Sequence, residues 1–273
     1  MAPLLRRPSA PDAEGCIHRV TPDNTRWSYV GFEVLDLRPG QALARHTGAT
    51  EVCLVLIAGR AAVRVGPQDF GTIGERASPF DGLPWSVYVP AGAEWELHTA
   101  DGCELAICAA PGQGTLPARL IAPGEVGEET RGVGTNERRV RNILPDTAAA
   151  EALLVVEVIT PGGHWSSYPP HKHDTDDPPR ETYLEETYYH RLARGSGFAL
   201  QRVYTDDLSL DETMAVGDRD VVLVPRGYHP VGAPHGFDLY YLNVMAGPVR
   251  QWRFTMAPDH AFLTWQAARE PPR

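Results

Sequence analysis

Short runs of β-branched, aromatic and aliphatic residues recur along the chain, each closed by Gly, Pro or Asp, and helical spacing is scarce. In the first half they begin at Tyr29 (YVGFEVLDL), Glu51 (EVCLVLI), Ala61 (AAVRV), Trp85 (WSVYV) and Cys103 (CELAICA). After a break they resume at Leu153 (LLVVEVI), Glu186 (ETYYHRL), Phe198 (FALQRVYT), Asp220 (DVVLV) and Leu239 (LYYLNVM). Short strands separated by turn signals predict an all-β sandwich or barrel. Only Asp146–Leu154 (DTAAAEALL) offers a stretch able to hold a helical turn.

The two halves read as one plan used twice. The first carries Gly40, His46 and Glu51, then Pro90 and Gly92; the second carries Gly162 and Gly163, His171 and His173, Glu186, then Pro225, Gly227 and His229. At 273 residues the chain exceeds one ordinary domain of ~100–150 residues. Two domains are expected, 1–145 and 146–273, with Pro111–Pro145 as a Gly-, Pro- and Arg-rich crossover. Within the crossover, RGVGTNERRVRN (131–142) concentrates four arginines. They form either a solvated basic linker, or a set from which one arginine closes over an anionic ligand or a neighbouring subunit.

Composition narrows the partners. A formal charge of −10 disfavours a phosphate backbone, so no nucleic acid is expected. No apolar run reaches the ~18 residues of a membrane span, and the opening MAPLLRRPSAPDAEG holds none of signal-peptide length. The four cysteines (Cys16, Cys53, Cys103, Cys108) show no metal or redox spacing and read as small buried hydrophobes in a reduced, cytoplasmic protein.

Candidate chemistry gathers in the second half. Side chains alternate along a strand, so His171 and His173 present two imidazoles on one face, while Lys172, the only lysine, points to the other. Lys172 therefore suits a surface or subunit-contact role. Glu186 on the next strand and His229 after a later one complete a set of three nitrogens and one oxygen. That set suits a divalent first-row metal, Zn or Mn first, with Fe, Co and Ni also admissible, and leaves positions open for substrate.

The segments YPPHKHD (168–174), LEETYYHR (184–191), GFALQRVYTDD (197–207), VVLVPRGYHPV (221–231) and DLYYLNVMAGP (238–248) carry a closer likeness. The pattern resembles the cupin superfamily, and more narrowly the 5-deoxy-glucuronate isomerases of inositol degradation, bicupins related to the 4-deoxy-5-ketouronate isomerases. The resemblance implies two tandem jelly-roll barrels, the second binding metal through His171, His173, Glu186 and His229. It also implies isomerisation of 5-deoxy-D-glucuronate to 5-dehydro-2-deoxy-D-gluconate. Of the adjacent glutamates Glu186 is chosen because it enters the β-rich run, which turns Glu185 outward. Twelve residues separate His173 from Glu186, more than in common cupins, and the loop DTDDPPRE within them is a candidate lid. Arg219 stands where cupins usually carry Gly, so that turn must tolerate a Cβ. In the first half, Trp95 stands near the place of the third histidine, and His46 with Glu51 reads as an ordinary hydrogen-bonded core pair. This half is expected to be structural.

An aldose–ketose isomerase needs its carbonyl polarised, a proton shuttled between neighbouring carbons, and a cis-enediolate stabilised. Tyr188 and His190 share a face with Glu186 and, with Tyr241, are the candidate catalytic groups. For the carboxylate of a small anionic sugar acid the candidates are Arg202, then Arg180 and Arg226, with Asn243 lining the same cavity. A cupin dioxygenase and a non-catalytic sugar-acid-binding cupin are the competing readings, and the pectin-side isomerase is a third. Open sheet edges predict a homo-oligomer.

Overall fold

The computed structural model describes residues 3–263. It is almost wholly β, as the recurring short apolar runs predict, and forms two barrels, each of one large and one small antiparallel sheet, with a two-stranded pair, His171–Lys172 and Thr255–Met256, beside them. The first barrel's large sheet runs in the order Arg119–Ile121, Trp85–Val89, Thr50–Gly59, Cys103–Pro111, Gly31–Leu37, Cys16–Val20. Its small sheet runs Ala42–His46, Glu94–His98, Ala61–Val65, Gln68–Ile73. The second barrel's large sheet runs Leu5–Arg6, Val221–Val224, Glu185–Leu192, Leu239–Ala246, Leu154–Thr160, Arg138–Leu144, Gly127–Arg131. Its small sheet runs Trp165–Ser166, Val231–Gly232, Ala199–Tyr204, Asp211–Val216.

This topology moves the expected division at residue 145. The strand Leu5–Arg6 pairs with Val221–Val224, so the N-terminus belongs to the second barrel's sheet. The expected crossover is not a mere connection either. It contributes Arg119–Ile121 to the first barrel, and Gly127–Arg131 and Arg138–Leu144 to the second. Backbone pairing, invisible to composition, decides this. Asp146–Leu154 forms turns and bends in place of the helical turn, with one bond from Ala148 N to Pro145 O (3.0 Å).

The large sheets pack face to face, and this explains why their strands are apolar on both faces. Along Thr50–Gly59, Val52, Leu54 and Leu56 fill the first barrel, while Cys53, Val55 and Ile57 face the second. Along Leu239–Ala246, Tyr241 and Met245 fill the second barrel, while Tyr240, Leu242 and Val244 face the first.

Two buried carboxylates fasten this interface. Glu51 accepts hydrogen bonds from the backbone N–H groups of Glu151 (2.8 Å), Ala152 and Leu153 (both 2.6 Å), and from the Tyr88 hydroxyl (2.6 Å). Reciprocally, Glu185 accepts from Ser28 and Tyr29 (both 2.8 Å) and Val30 (2.9 Å). Glu185 thus points out of its own barrel, as expected, but into the other half and not into water. His46 is exposed and bonds Gly48 N through Nδ1, so the expected His46–Glu51 core pair does not form.

Candidate metal centre

Strand alternation and one tight turn assemble the site. His171 and His173 flank Lys172 with ring centroids 6.1 Å apart, and Glu186 faces the barrel interior from the next long strand. His229 arrives through the turn after Val221–Val224, which Gly227 makes possible. Gly227 has φ +88, and a Cβ there would meet Tyr204 O at 2.3 Å. Arg219, with φ +65, does tolerate the left-handed turn, supported by a salt bridge to Asp36 (2.7 Å) and by its carbonyl, 2.7 Å from His18 Nε2.

One nitrogen from each of His171, His173 and His229 lies within 4.8 Å of the other two. Glu186 Oε2 stands 3.1 Å from His173 Nε2 and 3.2 Å from His229 Nε2. Ligand atoms neighbouring each other on a cation, with bonds of about 2.1 Å, stand on the order of 3.0–3.4 Å apart. Backbone carbonyls fix two of the rings: His173 Nδ1 lies 3.1 Å from Leu184 O, and His229 Nδ1 2.8 Å from Gly227 O. That turns both Nε2 atoms toward Glu186, as carbonyl partners do for metal-ligating imidazoles. His229 Nε2 is buried with no hydrogen-bond partner among the described residues. An orphaned lone pair facing a buried carboxylate and two further imidazoles fits a divalent cation.

Electrostatics agree. Burial, reinforced by the neighbouring imidazoles, pushes His171 well below the ordinary histidine range. Burial brings His229 down to about 4. Both are therefore neutral, as ligands must be. Burial alone would lower His173 as well, but the Glu186 carboxylate and the Leu184 carbonyl carry it above the ordinary value. On the other face of the strand, Lys172 Nζ reaches Asp206 (2.6 Å) and Asp174 (3.4 Å). Asp174 also accepts from Gly227 N (2.9 Å), and Asp206 from the Tyr228 hydroxyl (2.9 Å). The sole lysine therefore braces the turn that carries His229.

Above the ligands a chamber of about 30 Å³, room for about one water, is lined by His171, Glu186, Ser167, Tyr188, Tyr241 and Asn243. It adjoins a cavity of about 780 Å³ whose wall includes Tyr168, His171, Trp252 and Phe254. Arg131 and Arg138 line both. The Ser167 hydroxyl lies 2.9 Å from the Tyr188 hydroxyl and 3.5 Å from that of Tyr241. Burial raises both tyrosines above the ordinary phenol range, so both stay protonated. The Asn243 amide nitrogen is buried; among the described residues it meets no group in full hydrogen-bond geometry, but it acts on the neighbouring Tyr188 hydroxyl.

The structure therefore brings Tyr188, Tyr241 and Asn243 to the site, but not His190. Its ring stacks behind Tyr188, with Nε2 2.9 Å from Gln201 Oε1, and burial lowers it to about 4.

Nor are the three expected arginines at either cavity. Arg202 shares its strand parity with exposed Leu200, and pairs with Asp211 through two bonds (2.7 and 2.8 Å) on the outer face. Arg180 is paired with Asp177 on the exposed loop, and Arg226 reaches only Ser209 Oγ (3.3 Å). The loop around Arg180 is tied down by buried Glu181, which accepts from Asp174 N (2.8 Å) and Thr175 N (2.9 Å), and it lines neither cavity. Sequence reasoning missed Ser167, whose φ of +47 turns its hydroxyl to the tyrosines. It also missed Arg131 and Arg138 as individuals, although the arginine-rich segment that holds them was a visible signal.

The KduI/IolB family model matches residues 4–263. A 5-deoxy-glucuronate isomerase of Geobacillus kaustophilus (strain HTA426) is 56% identical over 264 residues, covering 96% of each chain. The crystal structure of an IolB-like protein from Salmonella typhimurium LT2 is 53% identical with a TM-score of 0.93, covering 96% of this chain and 100% of that one. The oxalate decarboxylase of Bacillus subtilis, at 16% identity and a TM-score of 0.62 over 93% of this chain and 76% of its own, shares the bicupin fold. With a match spanning nearly all its length and relatives above half identity, the chain belongs to the KduI/IolB family.

Proposed function

We propose that the protein interconverts 5-deoxy-D-glucuronate and 5-dehydro-2-deoxy-D-gluconate, a metal-dependent aldose–ketose isomerisation. The name carried by relatives such as the Geobacillus enzyme supports the reaction. The observation that carries the chemistry is the orphaned, neutral His229 beside His171, His173 and Glu186, of which His171 and Glu186 line the chamber. A divalent ion held by these four, Zn or Mn foremost, would supply Lewis acidity to the sugar's carbonyl and adjacent hydroxyl oxygens.

The chain's own groups do the rest. Tyr188, kept protonated by burial, donates to the carbonyl oxygen as it gains negative charge. Hydroxyls both donate and accept. Isomerisation moves two protons, one from C2 to C1 and one from O2 to O1, and the hydroxyls of Tyr188, Ser167 and Tyr241 form the relay for the second. The Asn243 amide, beside the Tyr188 hydroxyl at the chamber wall, donates to a sugar hydroxyl.

The deciding experiment is elemental analysis of the purified protein with an argon-purged assay on 5-deoxy-D-glucuronate, followed by NMR. Appearance of the ketone without oxygen, lost on chelation and restored by Zn or Mn, is expected. Turnover that needs oxygen would replace the isomerase by a dioxygenase; binding without turnover would leave a sugar-acid-binding cupin. A homo-oligomer belongs to the same reading. It is supported by Trp165, 41% exposed, covering Gly232 on the outer face of the small sheet beside exposed Leu200. Four buried free thiols accord with a reducing, cytoplasmic setting.

A further inference from the structure

The segment 131–142 places its four arginines in four different situations. Arg131 pairs with Glu129 (2.6 Å) and lies over the Trp252 ring (5.1 Å). Arg139 is exposed. Arg141 is buried against Glu157 (2.9 Å) and Glu128 (3.0 Å). Arg138, on the same strand face as Val140 at the chamber wall, has no carboxylate within ion-pair distance among the described residues. Only its Nη1 is used, donating to the backbone carbonyls of Asn136 (3.1 Å) and Tyr168 (3.3 Å). Nε and Nη2 make no hydrogen bond among the described residues, and Arg138 lines both the cavity and the chamber.

Such a cation is costly to hold. Burial lowers the Arg138 pKa and the charge of Arg131 lowers it too, against smaller upward effects from Tyr241, Tyr188 and Glu129, the last already engaged with Arg131. Arg250 makes the contrast. It too lacks a carboxylate, but it spends all three guanidinium nitrogens on carbonyls of residues 144–153, so it is a structural clamp. Arg138 is held in place without being used up. The loop before it is shaped around it: Gly132 has φ +87, and a Cβ there would stand 2.1 Å from Asn136 O and 2.8 Å from Arg138 Nη1.

We propose that Arg138 receives the substrate's carboxylate, and so sets the preference of this site for uronic acids over neutral sugars. The inference rests on the isomerase reading for its substrate, though not for the anion site itself. Arg138 and His171 line the same cavity and chamber, so a sugar acid with its carbonyl end at the imidazoles has its far end in the arginine's reach. The Nε and Nη2 edge is the fork a carboxylate takes in a bidentate pair. Asp146, at the same cavity, accepts from Trp252 N (3.4 Å) and repels a misplaced anion.

The test compares wild type, Arg138→Met and Arg138→Lys on 5-deoxy-D-glucuronate and on its neutral counterpart bearing a hydroxymethyl group at C6. Metal content and thermal melts are measured alongside. For Arg138→Met, kcat/KM on the acid is expected to fall about 100-fold, mainly through KM. The neutral sugar should change less than about threefold and bound metal not at all, and Arg138→Lys should recover part of the loss. An equal loss on both sugars, or none, overturns the proposal. Calorimetric titration with D-glucuronate separates it from the isomerase reading. Arg138-dependent uronate binding without any turnover would leave the anion site standing and the isomerase reading fallen; uronate binding unchanged in Arg138→Met overturns the anion site.

Discussion

The two barrels share one strand plan but differ at the positions where chemistry is made. Register sets the equivalence. Glu186 pairs with Val224, just before Pro225, and Val52 pairs with Val89, just before Pro90. The counterpart of the metal-side glutamate is therefore Val52, and that of Glu185 is Glu51. The sequence pattern aligns Glu51 with Glu186, one residue out of step, and a one-residue slip exchanges the faces of a strand. Val52 and Trp95 lie inside the first barrel among aliphatic side chains, where the second barrel has a carboxylate and an imidazole. What both halves retain is the outward clasp, Glu51 and Glu185, each accepting three backbone N–H groups from the opposite half.

The largest expected effect tests the contrast between the barrels at an imidazole of the second. His229→Ala should abolish bound metal, measured by elemental analysis, and lower kcat by at least about 10³-fold; retained metal would dissolve the contrast between the barrels. Next, Glu185→Gln and Glu51→Gln should each cost about 3 kcal/mol in denaturant unfolding, since each leaves buried N–H groups partly unsatisfied. Glu186→Gln should lose metal while the metal-free protein stays within about 1 kcal/mol of wild type. If Glu186→Gln destabilised the fold as much as Glu185→Gln, the division of labour between them would be wrong.

A third prediction uses His190, buried at the heart of the active barrel and without a counterpart in the repeat. Its folded pKa of about 4 lies below the unfolded value of about 6.5, so between these the unfolded state binds more protons. Its contribution to stability is full above pH 6.5 and is lost as pH falls toward 4, amounting to roughly 3 kcal/mol. Melts of His190→Gln across this window should show a shallower acid slope, by up to one proton; an unchanged slope would assign the acid sensitivity elsewhere. The smallest effect is expected from Arg202→Ala, which removes an exposed pair worth under about 1 kcal/mol. Its kinetics on the acid sugar should stay within twofold, whereas a rise in KM would return Arg202 to the site.

Local rules brought the four candidate ligands together because each of them obeys one. Alternation puts His171 and His173 on one face, entry into a β run picks Glu186 over Glu185, and the Pro225–Gly227 turn delivers His229. The same rule applied to FALQRVYT puts Gln201 inside with Ala199 and Val203 and sends Arg202 out; exposed Leu200, an apolar residue on the wet face, obscured that parity. The strands and the candidate ligands thus follow from composition and period, which act between near neighbours in the chain. Tertiary structure alone decided which strands pair, and with it the rest. The N-terminus joins the far barrel, the supposed linker becomes two strands of the active sheet, and Arg138 arrives at the cavity while Arg141 is buried against Glu157. These outcomes depend on sheet order and on contacts between residues more than two hundred positions apart, where no local periodicity carries information.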